Sequence, residues 1–276
     1  MHRAERGTWL GITRQGRIAC LTNFREEGQA IIEGRRSRGA IVNSFLKTPP
    51  ESTETPKDVA HALIEEGLDG IGGFSLLFGQ LRASKAEDGK PRGLAIVSNR
   101  SAHPDDVTWI LRDPGETHAL SNTYFGDKSW PKVNDAERLV AEAVAESLAD
   151  QESQGALIER FLAILSRDTL PRQKVGEQFE VYMRQLRQSI RIPSIGDINL
   201  RMRKDADQIA GAAGTPTGKA VINPTGGVYG TQKQSVLLVD WKGKVTFFER
   251  TLFDQMGAPI NVGEADRTYE FDIEGW

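Results

Sequence analysis

The feature that most constrains this chain is the placement of its strand-forming runs at the two ends, with helical sequence between them. Gly7–Thr13 and Arg17–Asn23 flank the short turn Arg14-Gln15-Gly16 and predict a hairpin. Ser235–Trp241 and Lys244–Arg250 flank Lys242-Gly243 and predict a second, with a last strand at Thr268–Ile273. Hairpins impose antiparallel neighbours, so this distribution argues for an α+β fold with mostly antiparallel sheets rather than a doubly wound parallel sheet. At 276 residues the chain is long enough for one large domain, 1–276, with a real core.

The intervening sequence supplies the other elements. Ile41, Val42, Phe45 and Leu46 follow helical spacing from Arg38, and Pro49-Pro50 ends that run. Thr55-Pro56 is an N-cap followed by proline at the first helical position, and predicts a helix to about Gly67. Strands are expected at Phe74–Leu81, Leu94–Asn99, Val107–Leu111 and His118–Leu120. A capping-box-like start at Asn134 and Glu137 predicts a helix there, and another is expected at Leu157–Leu165. The segment 170–225 reads as a divergent, mobile insertion with an amphipathic helix around Phe179–Ile190.

Several function classes are excluded early. A formal net charge of −3 with 26% charged residues gives no basic footprint for nucleic acid. The arginines between Arg184 and Lys204 are diluted by Asp197 and suit a solvated face. Cys20 is the only cysteine, so neither an internal disulfide nor a thiolate metal cluster can form, and a reducing, cytoplasmic setting fits. No run approaches the roughly 20 apolar residues of a membrane span, and the first residues lack the apolar region of a signal peptide.

The individual chemical motifs are weak. Gly214–Ala220 has three residues between its glycines where a phosphate loop needs four, and Ala220 stands where Ser or Thr would hold magnesium. None of His2, His61, His103 and His118 is spaced to share a helical face in a zinc site. Ser75 lacks the second glycine of a nucleophile elbow, and Cys20 falls inside a strand as a small buried hydrophobe. What does recur is tryptophan, asparagine and arginine at strand ends: Trp9, Asn23, Arg25, Arg38, Asn99, Arg100, Asn122 and Arg267. Amides and guanidinium groups so placed suit recognition of a carboxylate or amide, although turn formation explains asparagine equally well.

In order, Gly7-Thr8-Trp9-Leu10-Gly11-Ile12, Ala19–Arg25, Ser37-Arg38-Gly39, Gly73-Phe74-Ser75-Leu76, Ser98-Asn99-Arg100, Leu120-Ser121-Asn122, Trp130-Pro131-Lys132, Tyr229-Gly230-Thr231, Val245–Arg250 and Arg267–Phe271 resemble the signature of the transport and Golgi organisation protein 2 family, the NRDE family. The resemblance implies a four-layer α/β/β/α sandwich of the N-terminal-nucleophile-hydrolase type. This sequence lacks the Met-Cys start and Asn-Arg-Asp-Glu motif of relatives, so one or two N-terminal, central strands would be missing, the edge of a sheet would be open to a partner, and a truncated gene model or fragment is one reading. The resemblance further implies association with Golgi organisation, protein secretion and haem movement from mitochondria, in a cytoplasmic protein with Golgi or mitochondrial association. The expected role is a noncatalytic carrier with no built-in cofactor, taking haem or another amphipathic anionic ligand as cargo at Trp9, Asn23, Arg38, Asn99, Asn122 and Arg267. The alternative is an amide hydrolase whose nucleophile lies upstream, with Asn99 or Asn122 as oxyanion donors.

Overall fold

The computed structural model describes residues 7–24, 38–66, 73–81, 93–174, 177–195 and 229–276. The fold is α+β, and its contacts divide the chain into two compact units. The first comprises Met1–Ser129, Val239–Val245 and Phe271–Trp276, the second Trp130–Leu238 and Thr246–Glu270.

The first unit is built on five strands, β1 (Leu10–Ile12), β2 (Arg17–Asn23), β3 (Phe74–Gln80), β4 (Leu94–Ser98) and β5 (Thr108–Ile110), hydrogen-bonded in that order. Every pair is antiparallel. The hairpin expected at the start is present, its turn closed by Gly16 at φ +79°, a conformation that only glycine adopts without strain.

The pairing register sorts the side chains. Ala19 opposes Phe78 and Leu21 opposes Leu76, so these four share one face, with Cys20 and Leu77 on the other. On the first face lie α1 (Arg38–Leu46) and α2 (Pro56–Glu65), which pack Ile41, Val42, Phe45, Ala60 and Ile64 against Phe74, Leu76, Phe78, Ala95 and Val97. The other face gathers Leu94, Ile96 and Ile110 with Ile18, Leu77 and Phe125. Burial on both faces explains why β3 and β4 read as almost continuous apolar runs.

α2 starts where its sequence says it should. The Thr55 hydroxyl accepts from the Asp58 N–H at 3.2 Å while Asp58 Oδ2 accepts the Thr55 N–H at 2.8 Å, a reciprocal capping box. The Thr55 hydroxyl also donates to Asp58 Oδ2 at 2.7 Å, and this bond foremost, with that from the Thr55 N–H next, holds the Asp58 carboxyl below its usual range. Thr55→Ala is expected to cost about 1 kcal/mol, read as a lower urea midpoint at unchanged m-value.

The strand expected at His118–Leu120 does not form. After β5 the backbone turns away at Leu111, φ 59°, and the Glu116 carboxylate accepts the N–H groups of Leu111, Arg112 and Asp113 and meets His118 Nε2 at 2.8 Å. The chain is thus pinned as a turn before it reaches a strand partner. Those bonds, the one to His118 foremost and that from Asp113 next, depress the Glu116 pKa from 4.5 to about 2. A depressed carboxyl pKa contributes stability above its unfolded value, lost as pH falls through the folded one. The stability advantage of the parent over Glu116→Gln should therefore shrink between about pH 4.5 and pH 2, and an NMR titration should find the Glu116 midpoint near 2.

The second unit contains α3 (Pro131–Ala149), α4 (Gln154–Leu165), the short α5 (Phe179–Met183) and most of a sheet ordered β6 (Lys233–Val239), β7 (Lys244–Thr251), β8 (Arg267–Asp272). β6 and β7 form the second expected hairpin, tied by Asp240 N–H to Lys244 O and Leu252 N–H to Gln232 O. Along β7 and β8, Phe247 faces Tyr269 and Arg250 holds Asp266, a falling and rising register that makes this pair antiparallel as well. Ile158 and Leu162 of α4 bury against Val236, Leu238 and Phe248. α3 begins at Pro131, three residues before the expected Asn134 start, because Pro131 already has the helical φ and Val133 N–H reaches Trp130 O at 3.0 Å.

Within the expected insertion, the amphipathic stretch begins as α5 and continues as a 3₁₀ turn, Arg184–Gln188, instead of one helix to Ile190. Tyr182, Ile192 and Ile195 are buried together there with Leu170 and Leu186. The rest of the insertion, including Gly214–Ala220, falls in residues 196–228, outside the described residues. Among the described residues no helix is long and apolar enough to cross a membrane.

Candidate functional site

One end of the five-stranded sheet collects five of the six residues singled out from the sequence. The register puts Trp9 beside Leu21, and Asn23 opposite Phe74, so the start of β1, the end of β2, the start of β3 and the end of β4 all lie at this edge. Trp9 O accepts the Leu21 N–H at 2.8 Å.

Backbone contacts lock the strand ends. Phe24 N–H donates to Gly73 O at 2.9 Å, and Asn99 answers Phe74 twice, its N–H reaching Phe74 O at 3.4 Å and its Oδ1 accepting the Phe74 N–H at 3.1 Å. Asn122 Nδ2 donates to Asn23 O at 3.0 Å, while Thr22 Oγ1 and Ser75 Oγ donate to the carbonyls of Ser121 and Thr123. The loop 121–124 is thereby fastened across β2 and β3. The side-chain amides of Asn99 and Asn122 therefore each position backbone.

Onto this frame two guanidinium groups are set against aromatic rings. Arg38, the first residue of α1, donates from Nη1 to Gly73 O at 3.1 Å and lies 5.8 Å from the centroid of Trp9. Arg100, just past β4, sits between Phe24 at 4.8 Å and Tyr124 at 5.0 Å. Trp9 and Tyr124 remain 46% and 43% exposed, which leaves apolar ring surface beside each cation. The arrangement sets two cationic side chains against aromatic rings at one sheet end.

Arg267, the sixth residue, is the exposed first residue of β8 and belongs to the second unit. Arg25 lies outside the described residues. Sequence reasoning missed Phe24 and Tyr124 as partners of Arg100; the adjacency of Phe24 to the Asn23 strand end, and of Tyr124 to Asn122, was the available signal.

Cys20 is not poised for nucleophilic work. It sits mid-strand, paired with Leu10 and Leu77, and burial pushes its thiol pKa up, which favours the unreactive protonated form.

Comparison with known proteins adds a family. Residues 1–254 match the model of the family described as Transport and Golgi organisation 2. A human protein named transport and Golgi organization protein 2 homolog is 29% identical over 275 residues, covering 98% of this chain and 79% of the relative. A mouse homolog is 27% identical over 270 residues, covering 97% and 79%, and a bovine one 28% identical over 250 residues, covering 90% and 73%.

Proposed function

We propose, from the premise that this chain belongs to the Transport and Golgi organisation 2 family, that it is a noncatalytic binding protein for an amphipathic anion, acting in Golgi organisation and secretion. The observation that carries the ligand class is the pair of ring-stacked guanidinium groups, Arg38 on Trp9 and Arg100 between Phe24 and Tyr124, at one sheet end. A planar, apolar molecule with carboxylates at its rim satisfies both halves of that edge: its face lies on Trp9 and Tyr124, and its anions meet Arg38 and Arg100. Haem has this chemistry and enters as cargo, through its propionates and macrocycle. A carrier that hands its cargo on does not need a strong iron ligand.

The finer fold reading, a sandwich of the N-terminal-nucleophile type, belongs to the same proposal and is supported by the antiparallel pairing within the sheets and by the two helices on one face of the first sheet. So do a cytoplasmic location with visits to Golgi or mitochondrion, and a partner strand on β1, which has one strand neighbour among the described residues. The ligand reading is tested by comparing hemin with a porphyrin whose propionates are methyl-esterified. The free acid should bind at least tenfold more tightly, because only it offers carboxylates to the arginines. Equal affinities would remove the anion from the account, and turnover of a model amide would replace the carrier with a hydrolase.

A further inference from the structure

Among the described residues the most exposed large apolar side chain is Trp241, 98% open to water on the turn Asp240–Gly243 that joins β6 to β7. An indole this bare forgoes the burial that usually stabilises tryptophan. The turn beneath it is braced. Asp240 N–H donates to Lys244 O and Gly243 N–H to Asp240 O, each at 3.0 Å, while Asp240 Oδ1 accepts the N–H groups of Lys242 at 2.8 Å and Lys244 at 2.9 Å. From the C-terminal segment, Ile273 N–H donates to Gly243 O at 2.9 Å and Trp276 Nε1 donates to Trp241 O at 3.0 Å. The Trp276 ring lies against Gly243, which has φ +80° and no room for a Cβ. Trp276 is itself 44% exposed, so two indoles stand together at one apex of the first unit.

Area and charge select the partner. A tryptophan buries up to about 250 Å², so Trp241 and the open part of Trp276 offer about 350 Å² between them. That is less than half of the roughly 800 Å² that each side of a stable protein interface buries. A bilayer sets no such minimum, because its fluid interface closes around a protruding ring, and indoles concentrate there with the ring in apolar surroundings and the N–H wet. Glu274 N–H donates to Arg14 O at 2.7 Å, which ties the β1–β2 turn to the same apex. The segments 14–16, 240–244 and 272–276 carry Arg14, Lys242 and Lys244 beside Asp240, Asp272 and Glu274, all exposed. Three charges of each sign suit a zwitterionic headgroup layer of phosphates and ammonium groups, and give no net attraction to a polyanion.

We infer that the Trp241–Trp276 apex is a docking site for the interfacial region of a zwitterionic phospholipid bilayer, with the Trp241 ring at the acyl boundary and the Lys242 ammonium on a lipid phosphate. Lys242 reaches the phosphate with its charged head while its methylenes follow the ring inward. The attachment is peripheral and reversible, since one ring supplies most of the buried area. It does not draw on the sheet-end reading.

Sedimentation of the full chain with sucrose-loaded phosphatidylcholine vesicles tests this, with a circular dichroism melt as the folding control for each variant. The parent should partition onto the vesicles at millimolar lipid, and Trp241→Ser should lose at least about tenfold in partition coefficient, with Trp241→Phe losing less. Lipids brominated near the top of the acyl chain should quench the tryptophan fluorescence of the parent more than that of Trp241→Ser. Replacing about a third of the lipid with phosphatidylserine should change parent binding by less than about threefold, because the apex carries no net charge. Failure of the folded parent to sediment, which would leave the indole to a protein partner, would overturn the inference. So would parent-like sedimentation of Trp241→Ser, or binding that appears only with phosphatidylserine.

Discussion

Gly73→Ala is expected to abolish the sheet-end site and to lower stability by about 3 kcal/mol, at the upper end of what overpacking costs. A Cβ at Gly73 falls directly onto the carbonyl oxygen of Phe24, and both atoms belong to backbone that has little freedom to yield. Gly73 O simultaneously accepts the Phe24 N–H and the Arg38 Nη1–H, so moving it releases the end of β2 and the anchor of Arg38 together. Phe24 in turn carries Arg100, so both guanidinium platforms shift. The measurement is paired: thermal unfolding for stability, and hemin binding on whatever fraction stays folded. A variant that melts like the parent and binds as tightly would show that the Gly73 junction does not organise this edge.

Phe78→Ala is the second large effect, a loss of about 3–5 kcal/mol, enough to unfold a domain of ordinary stability. Phe78 is fully buried at the centre of β3, and its ring stands edge-to-face on Phe45 of α1, centroids 5.0 Å apart at 68°. Phe45 also receives the Arg17 guanidinium at 5.3 Å, so the cavity left by Phe78 would loosen a stack that joins strand, helix and cation. Urea unfolding followed by tryptophan fluorescence should show the drop. A change below about 1 kcal/mol would mean that the α1–sheet layer is not the principal core of the first unit.

How much of this was legible in the sequence depended on how local the cause was. The two hairpins, the Thr55 N-cap and the helical run from Arg38 follow from residues within a few positions of one another, and they stand where their spacing puts them. The failures have tertiary or competing local causes. His118–Leu120 has strand-like composition, but the Glu116 carboxylate captures the preceding N–H groups and bends the chain away. Asn134 and Glu137 have the spacing of a helix start, yet Pro131 nucleates the turn first.

The site followed the same division. That Trp9, Asn23, Arg38, Asn99 and Asn122 sit near element ends was readable from turn and strand patterns, but their convergence depends on the β1-β2-β3-β4 register, which joins residues as far apart as Asn23 and Asn122. Arg267 shares the strand-end signature and yet falls in the second unit, because composition at a strand end does not say which sheet the strand joins. The pairing of Arg100 with Phe24 and Tyr124 links three separate segments, and no periodicity encodes it.

The central claim is that ring-stacked arginines at one sheet end bind an amphipathic anion. Its most direct test is a hemin titration followed by the Soret band, comparing the parent with the Arg38→Gln/Arg100→Gln double variant after both are shown to be folded. The account predicts saturation near one equivalent for the parent and a loss of at least tenfold in the variant. Parent-like hemin binding by the folded double variant, or no binding by the parent, would contradict it.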